Sequence, residues 1–265
     1  MSLDYDAMFS GIRRLYGASA YQKIASSRFC VVGIGGVGSW VVEALARTGV
    51  AAITLIDHDD ISVGNTNRQI HTSQETIGAA KVDVMAQRVG SIHPQCEVDA
   101  IDDFLTSKNI QRYMSQNFDY VIDAIDGIRF KTELAHYCRR NKIPFVMTGG
   151  AGGLTDPTAI QVTDLSKTYN DPLAAKVRAK LRSEFNYSRD GKKKFGIDCV
   201  FSSQQQLYPR PDGTVSTQKP GVHGVTLDCE SGYGSATFVT ASFGFVAVSH
   251  AISKMLARAQ RAESR

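Results

Sequence analysis

The chain has 265 residues and a formal net charge of +4, a length that suits one large α/β unit or one such unit with an extension. Its five cysteines (Cys30, Cys96, Cys138, Cys199 and Cys229) are isolated and odd in number, which argues against a disulfide scaffold and fits a reducing cytoplasm. Met1 to Ser10 holds Asp4 and Asp6 and no apolar core, so no secretory leader is expected.

Residues 1–27 read as a polar, helical lead-in arm. Residues 28–153 alternate strand and helix, with strands expected near 29–33, 52–57, 96–101, 118–123 and 143–148. This is the pattern of an α/β, doubly wound, Rossmann-like, mostly parallel sheet. Phe29 to Val32 is too short and too β-branched for a helix and reads as a buried strand. It runs into Gly33-Ile34-Gly35-Gly36-Val37-Gly38. Gly33, Gly35 and Gly38 fit the G-x-G-x-x-G fingerprint, allowing a tight turn, close approach of backbone to phosphate, and close helix-on-strand packing. Val37 to Thr48 has apolar residues at helical spacing, and Gly49 is a natural C-cap. The next strand ends in Asp57, 19 residues after Gly38, where a ribose-binding carboxylate is expected. A glycine turn with only a packing role leaves that acid unexplained.

From His58 to Gln69 the chain is a dense polar loop where a short connection would suffice, and such a loop at strand ends suggests a site. A nicotinamide dehydrogenase needs nothing particular there. Arg68 can fork onto a phosphate and Asn65 can donate to an oxygen. Lys81 opens a helix, where its charge works against the helix dipole unless an anion lies nearby. Asp126 falls just beyond the carboxyl end of the strand ending at Asp123, in the same crevice. A carboxylate among phosphates suits Mg²⁺. No G-x-x-x-x-G-K-[ST] loop is present, so phosphate binding does not rest on a Walker-type motif.

Residues 154–265 form an extension. Thr148 to Gly153 is glycine-rich at a strand's carboxyl end; it either admits a substrate or simply turns the chain, and its place at the crevice favours the first. A further strand is expected over Ala159 to Thr163, and another within Phe195 to Phe201. Asp171-Pro172 starts a basic helix, Asp as N-cap and Pro in the first turn. From 176 to 194 eight cations, among them Lys176, Arg178, Lys180, Arg182, Lys192, Lys193 and Lys194, face only Glu184 and Asp190. Such a segment is either a footprint for a phosphate backbone or a solvated helix and turn. Tyr208 to Gly224 reads as a mobile loop. Ser231 to Ser253 carries no formal charge; its central part reads as a buried helix on the sheet or at a subunit interface, in preference to a membrane span. Cys229 is a candidate thiol, with a structural role favoured because nothing basic flanks it. His71 and His223 read as solvated loop histidines.

The motif order GIGGVG, then Asp57, Asp59, Asn65, Arg68 and Gln69, then Lys81, then Asp123 and Asp126 resembles the superfamily of ubiquitin-activating enzymes and the molybdopterin- and thiamine-pathway adenylyltransferases. The resemblance covers roughly residues 10–150. It implies adenylation of a carboxylate by ATP. Asp57 would hold the ribose; Asn65, Arg68 and Lys81 would contact the triphosphate; Asp126 would hold Mg²⁺. An N-terminal arginine, Arg14 with Arg13 as its neighbour, would reach the partner's ATP in a homodimer. Many members carry paired C-x-x-C motifs for zinc; this chain has none, so no structural zinc is expected. RLYG (14–17), TNRQIH (66–71), YCRRNKIP (137–144), TGGAGG (148–153), DPLAAKVR (171–178), DCVFS (198–202) and FGFVAVSHA (243–251) are similar to the bacterial tRNA threonylcarbamoyladenosine dehydratase family. That resemblance spans nearly the whole chain and implies ATP-dependent dehydration and ring closure of the modified nucleoside, with tRNA as partner and a sulfur-relay protein as a further candidate. The alternative it leaves is an adenylyltransferase acting on the C-terminus of a small sulfur-carrier protein.

Overall fold

A computed structural model of the protein describes residues 5–219 and 234–264. The apolar run after Arg28 forms strand β1 (Arg28–Val32) at the middle of the molecule. Alternate residues face opposite sides of it, as a period of two requires. Phe29 and Val31 enter one core, Cys30 and Val32 the other. β1 pairs in parallel with β2 (Ala52–Asp57) and with β4 (Tyr120–Asp123). The full sheet has seven strands in the order β3-β2-β1-β4-β5-β7-β6, with β3 at Glu97–Asp102, β5 at Phe145–Thr148, β6 at Ile160–Asp164 and β7 at Asp198–Ser202. Only β6 runs antiparallel to its neighbour. Strand order reverses between β1 and β4, and the crevice outside the carboxyl ends at such a switch is where ligands of these sheets bind.

The first three helices, α1 (Tyr5–Met8), α2 (Ser10–Tyr16) and α3 (Ala18–Ala25), are more than a polar arm. Phe9 and Ile24 are buried, and Ile12 and Tyr16 pack on the core. Phe9 lies against Gly49, the left-handed C-cap of α4 (Gly38–Thr48), and edge-on to His93, the C-cap of α5 (Lys81–Ile92). These caps precede β2 and β3, so Phe9 covers the amino ends of those two strands, opposite the crevice.

Helices α6 (Ile110–Met114), α7 (Ile128–Arg140) and α8 (Pro172–Glu184) cover the face presented by Cys30 and Val32. α8 begins as its sequence predicts: Asp171 Oδ1 accepts from the Ala174 N–H at 2.9 Å, and Pro172 stands in the first turn. The opposite face is covered by α4, α5 and α9 (Thr237–Glu263). α9 crosses α4 closely because Gly244 is bare: a Cβ there would lie 2.9 Å from the Val37 carbonyl oxygen. By length and composition α9 could cross a bilayer, yet 56% of its most apolar window is buried inside the fold, as for a core helix. It runs ten residues past the expected Ser253, because Met255 and Leu256 continue its apolar face.

The stretch from Tyr208, expected as one mobile loop, opens instead with a short hairpin, β8 (Tyr208–Pro209) against β9 (Val215–Ser216), anchored by buried Tyr208. The turn at Gly213, with φ +80, supplies the reversal. Residues 220–233, which include the end of that stretch with His223 and, beyond it, the candidate thiol Cys229, lie outside the described residues.

Candidate active site

The three fingerprint glycines and Gly36 beside them divide into two kinds. Gly33 sits at φ +86, and a Cβ on it would lie 2.9 Å from the Ala124 carbonyl carbon. A Cβ on Gly38 would fall 1.7 Å from the Gly33 oxygen. These two are dictated by the turn and by the approach of α4 to β1. Gly35 and Gly36 are not: their nearest neighbours are flexible side chains, Gln69 Nε2 at 3.8 Å and Arg68 Cδ at 3.2 Å respectively. A bare backbone that the fold does not demand, at the amino end of a helix, is an anion cradle.

Asp57 ends β2 beside this loop. Its Oδ2 accepts from the Ile34 N–H at 2.5 Å and its Oδ1 from the Asp59 N–H at 2.9 Å. The carboxylate is fixed at the mouth of the glycine loop, where a ribose would lie. Lys81 Nζ donates to Asp59 Oδ2 at 2.6 Å, so Asp59 is the anion that a lysine at a helix start requires. Arg68 lies across Gly36, with Nη1 donating to the Gly64 carbonyl at 2.8 Å and to Asn67 Oδ1 at 3.1 Å. Asn65 is a turn-former: its Oδ1 accepts from the Ser62 N–H at 3.0 Å in a capping box around a 3₁₀ turn at Val63–Asn65. Gln69 is buried, with an Oε1 that lacks a partner. Asp126 is exposed at the carboxyl end of β4. Among the described residues, the acids and histidine that converge within metal-ligand distance are Asp57, His58 and Asp59, and Asp126 is not among them. Asp57 already receives two N–H groups and Asp59 an ammonium. Asp126 is exposed at the crevice, where a hard cation could reach its carboxylate.

Helix α4 and the start of the C-terminal segment together hold this loop in place. Trp40 Nε1 donates to the Arg68 carbonyl at 2.9 Å, Thr240 Oγ1 approaches the same oxygen at 3.5 Å, and Asn67 Nδ2 donates to the Ser235 carbonyl at 2.9 Å.

Two groups behind the site escaped the sequence reading. Lys131 is fully buried on α7, with Nζ 3.1 Å from Asp123 Oδ1 and 2.7 Å from the Ile125 carbonyl. Burial pushes the Asp123 carboxyl above its ordinary value, with the ammonium opposing. Helical spacing held the signal, because Lys131 shares a face with Leu134, Ala135 and Cys138. His71, expected in solvent, is buried with no partner on either ring nitrogen; burial first, then Lys81 and Arg88, lower its pKa to about 4.

The glycine run after β5 serves Asp171. A Cβ on Gly149 would lie 1.8 Å from Asp171 Oδ2, which accepts from the Gly150 N–H at 3.0 Å. Beyond it opens a cavity of about 290 Å³ bordered by Arg178, Gln205, Gln206 and Tyr208. Within the basic segment the cations diverge. Arg178 donates to Thr168 Oγ1, and Arg182 stacks on Phe195 and donates to the Ser188 carbonyl, so both are tied down. Lys180 pairs with Glu184. Lys176, Lys192, Lys193 and Lys194 are exposed. Arg14 is exposed on α2, at the strands' amino ends and remote from this chain's own crevice. Cys30, Cys96, Cys138 and Cys199 are all buried and unbridged; burial pushes the Cys96 thiol up to about 11.

A parallel sheet with a bare glycine cradle at its switch point, a fixed carboxylate and two bordering cations defines a nucleotide-binding α/β protein. The family model described as the ThiF family matches residues 9–264, and the chain belongs to that family. It is 58% identical over 254 residues to the tRNA threonylcarbamoyladenosine dehydratase of Escherichia coli K12, covering 96% of this chain and 95% of that one. The enzyme of the same name from Haemophilus influenzae is 50% identical over 253 residues, with 96% and 95% covered. The solved structure of the E. coli dehydratase in complex with ATP superposes with a TM-score of 0.87 at 53% identity, covering 98% of this chain and 99% of that one.

Proposed function

We propose that this chain is an ATP-dependent tRNA threonylcarbamoyladenosine dehydratase, which activates the carboxylate of the threonylcarbamoyl group and closes it into a ring. The observation that carries the reading is likeness over almost the entire chain, extension included, to dehydratases of that name.

A free carboxylate is a poor electrophile, since its leaving group would be oxide. Transfer of the adenylyl group to the carboxylate oxygen, with departure of pyrophosphate, replaces that with AMP. The carbamoyl group of the same substituent then attacks the activated carbonyl. Because the attacking group is already attached, proximity supplies much of the second step, and no dedicated side-chain nucleophile is needed. Asp57, oriented by the Ile34 N–H, holds the ribose. Gly35 and Gly36 let the phosphates approach backbone N–H groups, and Arg68 and Lys81 stabilise the charge that builds on them. Asn65 and Gln69 shape the turn that presents Arg68. Mg²⁺ would be held by Asp126 and would neutralise phosphate charge. Arg14, turned away from its own crevice, serves a partner's site in a homodimer. Lys176 and Lys192 to Lys194 contact the tRNA backbone; Arg178 and Arg182, tied to the fold, position that segment. The enzyme works in the cytoplasm, where tRNA is its substrate and a sulfur-relay protein a further partner.

The deciding experiment incubates the protein with ATP, Mg²⁺ and tRNA carrying threonylcarbamoyladenosine and weighs the released nucleosides. ATP-dependent loss of one water is expected. No change, with ATP still bound, would remove the tRNA assignment and leave the ATP site, making activation of a sulfur carrier's C-terminus the leading reading.

A further inference from the structure

A second cavity, of about 240 Å³, opens at the far end of the sheet. Tyr120, Phe145 and Asp198 line it, and they are the first residues of β4, β5 and β7. It therefore lies at the strands' amino ends, with the sheet between it and the nucleotide crevice. Arg139, Lys142, Lys254 and Arg258 border it, and the one carboxylate among its lining residues is Asp198. That carboxylate is already engaged, by His250 Nε2 at 2.8 Å and Lys254 Nζ at 3.3 Å. Among the described residues no acid pairs with Arg139, Lys142 or Arg258. The cavity thus carries uncompensated positive charge.

The backbone is adapted to it. Arg139 Nε donates to the Phe195 carbonyl at 3.0 Å, which aims the guanidinium across the cavity rim. Gly196, at φ +73, lets it pass: a Cβ there would stand 2.5 Å from that Nε. Lys142 is one of only three non-glycine residues at positive φ among those described. Cations at helix C-termini are favoured by the dipole, which accounts for Arg139 in the last turn of α7 and Lys142 just beyond its end. It does not account for a second helix bringing its own cations to the same cavity. On α9 His250, Lys254 and Arg258 recur at four-residue spacing and Arg261 follows on that face, a stripe about 16 Å long at 1.5 Å per residue.

A cavity continued by a stripe suits phosphates repeated along a chain better than a lone small anion. We propose that the Arg139–Lys142 corner and the α9 stripe bind backbone phosphates of the tRNA, a second anchor separate from the basic segment after Asp171. The proposal rests on the reading of tRNA as substrate.

The test neutralises the two exposed cations that have no acidic partner, Lys142→Gln with Arg258→Gln, in the full chain. Binding of tRNA is measured by anisotropy between about 50 and 200 mM salt, the range over which phosphate contacts are read, with ATP affinity measured in parallel. The expected result is tRNA affinity weakened at least severalfold and a salt slope shallower by about 1 to 2, at roughly 0.7 to 0.9 per phosphate contact, with ATP affinity unchanged. The charge-retaining pair Lys142→Arg with Arg258→Lys should keep the wild-type slope. An unchanged slope in the neutral variant overturns the proposal, as does equal loss in the charge-retaining one. If inorganic phosphate raises the unfolding temperature of the wild type but not of the neutral variant while the slope stays the same, the cavity takes free phosphate and the RNA assignment falls. Wild-type protein that binds no tRNA at all would instead sink the functional reading, a different result from wild type and variant binding it alike.

Discussion

Lys81 and Asp59 form a lopsided ion pair: the ammonium side chain is 6% exposed and the carboxylate 53%. The lysine is held by the fold, whereas the aspartate can swing into water at little cost. An incoming phosphate can therefore replace Asp59 as the partner without moving Lys81. Lys81→Met keeps the packing volume and removes the charge. ATP affinity should fall at least tenfold, about 1.4 kcal/mol, while stability to denaturant falls by less than about 1 kcal/mol, because exposed Asp59 hydrates freely. Calorimetric titration with ATP, beside a urea melt, separates the two. If stability drops and ATP affinity does not, Lys81 is a structural residue.

The division among the glycines gives a matched pair of variants. Gly38→Ala places a methyl within 1.7 Å of the Gly33 oxygen and should lower the unfolding temperature severely or prevent folding. Gly36→Ala meets only the flexible Arg68 stem, so the protein should fold with near-native stability and bind ATP weakly. Native ATP affinity in a folded Gly36→Ala protein would show that no phosphate approaches there.

The Asp123–Lys131 pair predicts a stability effect centred on the floor of the site. Lys131→Met leaves a carboxylate at 0% exposure without its ammonium and should cost roughly 3–5 kcal/mol. Adding Asp123→Asn removes the uncompensated charge and should recover part of that loss. Chemical denaturation of the single and double variants reads the coupling; simple additivity would mean the two groups do not interact.

His71 sets a pH dependence with a definite sign. Its folded pKa, about 4, lies below the ordinary 6.5, so the unfolded chain takes up a proton first as pH falls. The stability it contributes is complete above about pH 6.5 and drains away between there and pH 4, by at most about 3 kcal/mol. Unfolding free energies at pH 7.5 and 5 should differ less in His71→Gln than in wild type. An equal slope would mean that His71 takes up its proton in the folded state as readily as in water.

Placement of Arg14 at the opposite end from its own crevice makes the site's dependence on a partner testable. Arg14→Ala and Asp126→Ala chains should each be inactive alone and regain up to about a quarter of wild-type turnover when mixed, because random pairing of two inactive subunits restores at most one intact site in half the dimers. A mixture as silent as its components would place Arg14 outside the reaction.

The sheet was legible in the sequence because its central strands β1, β2, β4 and β5 are short, largely apolar runs closed by a glycine, an acid or a turn, and local pattern suffices for that. Asp57 and Lys81 were legible for a different reason: a carboxylate or cation at the end of an element lacks a local explanation, so its position alone marks it. The burial of His71 and Lys131 was not, nor was the tie between Asp171, itself legible as an N-cap, and the glycine run. Their meaning lies in what stands opposite them in space: the glycine run of Gly149 and Gly150 for Asp171, and Lys81 and Arg88 on α5 around His71. Charge counting also treated the basic segment as uniform, since it cannot see that Arg178 and Arg182 turn inward to Thr168 and Phe195 while their neighbours face water.

The closure of α9 over α4 has a consequence for the order in which the protein can be made. α4 is complete at Thr48, but the helix that covers it and pins the Arg68 loop starts only at Thr237, about 190 residues later. At 5–20 residues per second, synthesis leaves the apolar face of α4 uncovered for roughly 10–40 s. Throughout that interval the loop that flanks the glycine cradle has its Trp40 anchor on α4 but lacks the contacts made by Ser235 and Thr240. A nascent chain paused before Thr237 would hold a half-built crevice and an open apolar seam, which makes this interval the point at which the growing chain most needs protection from aggregation.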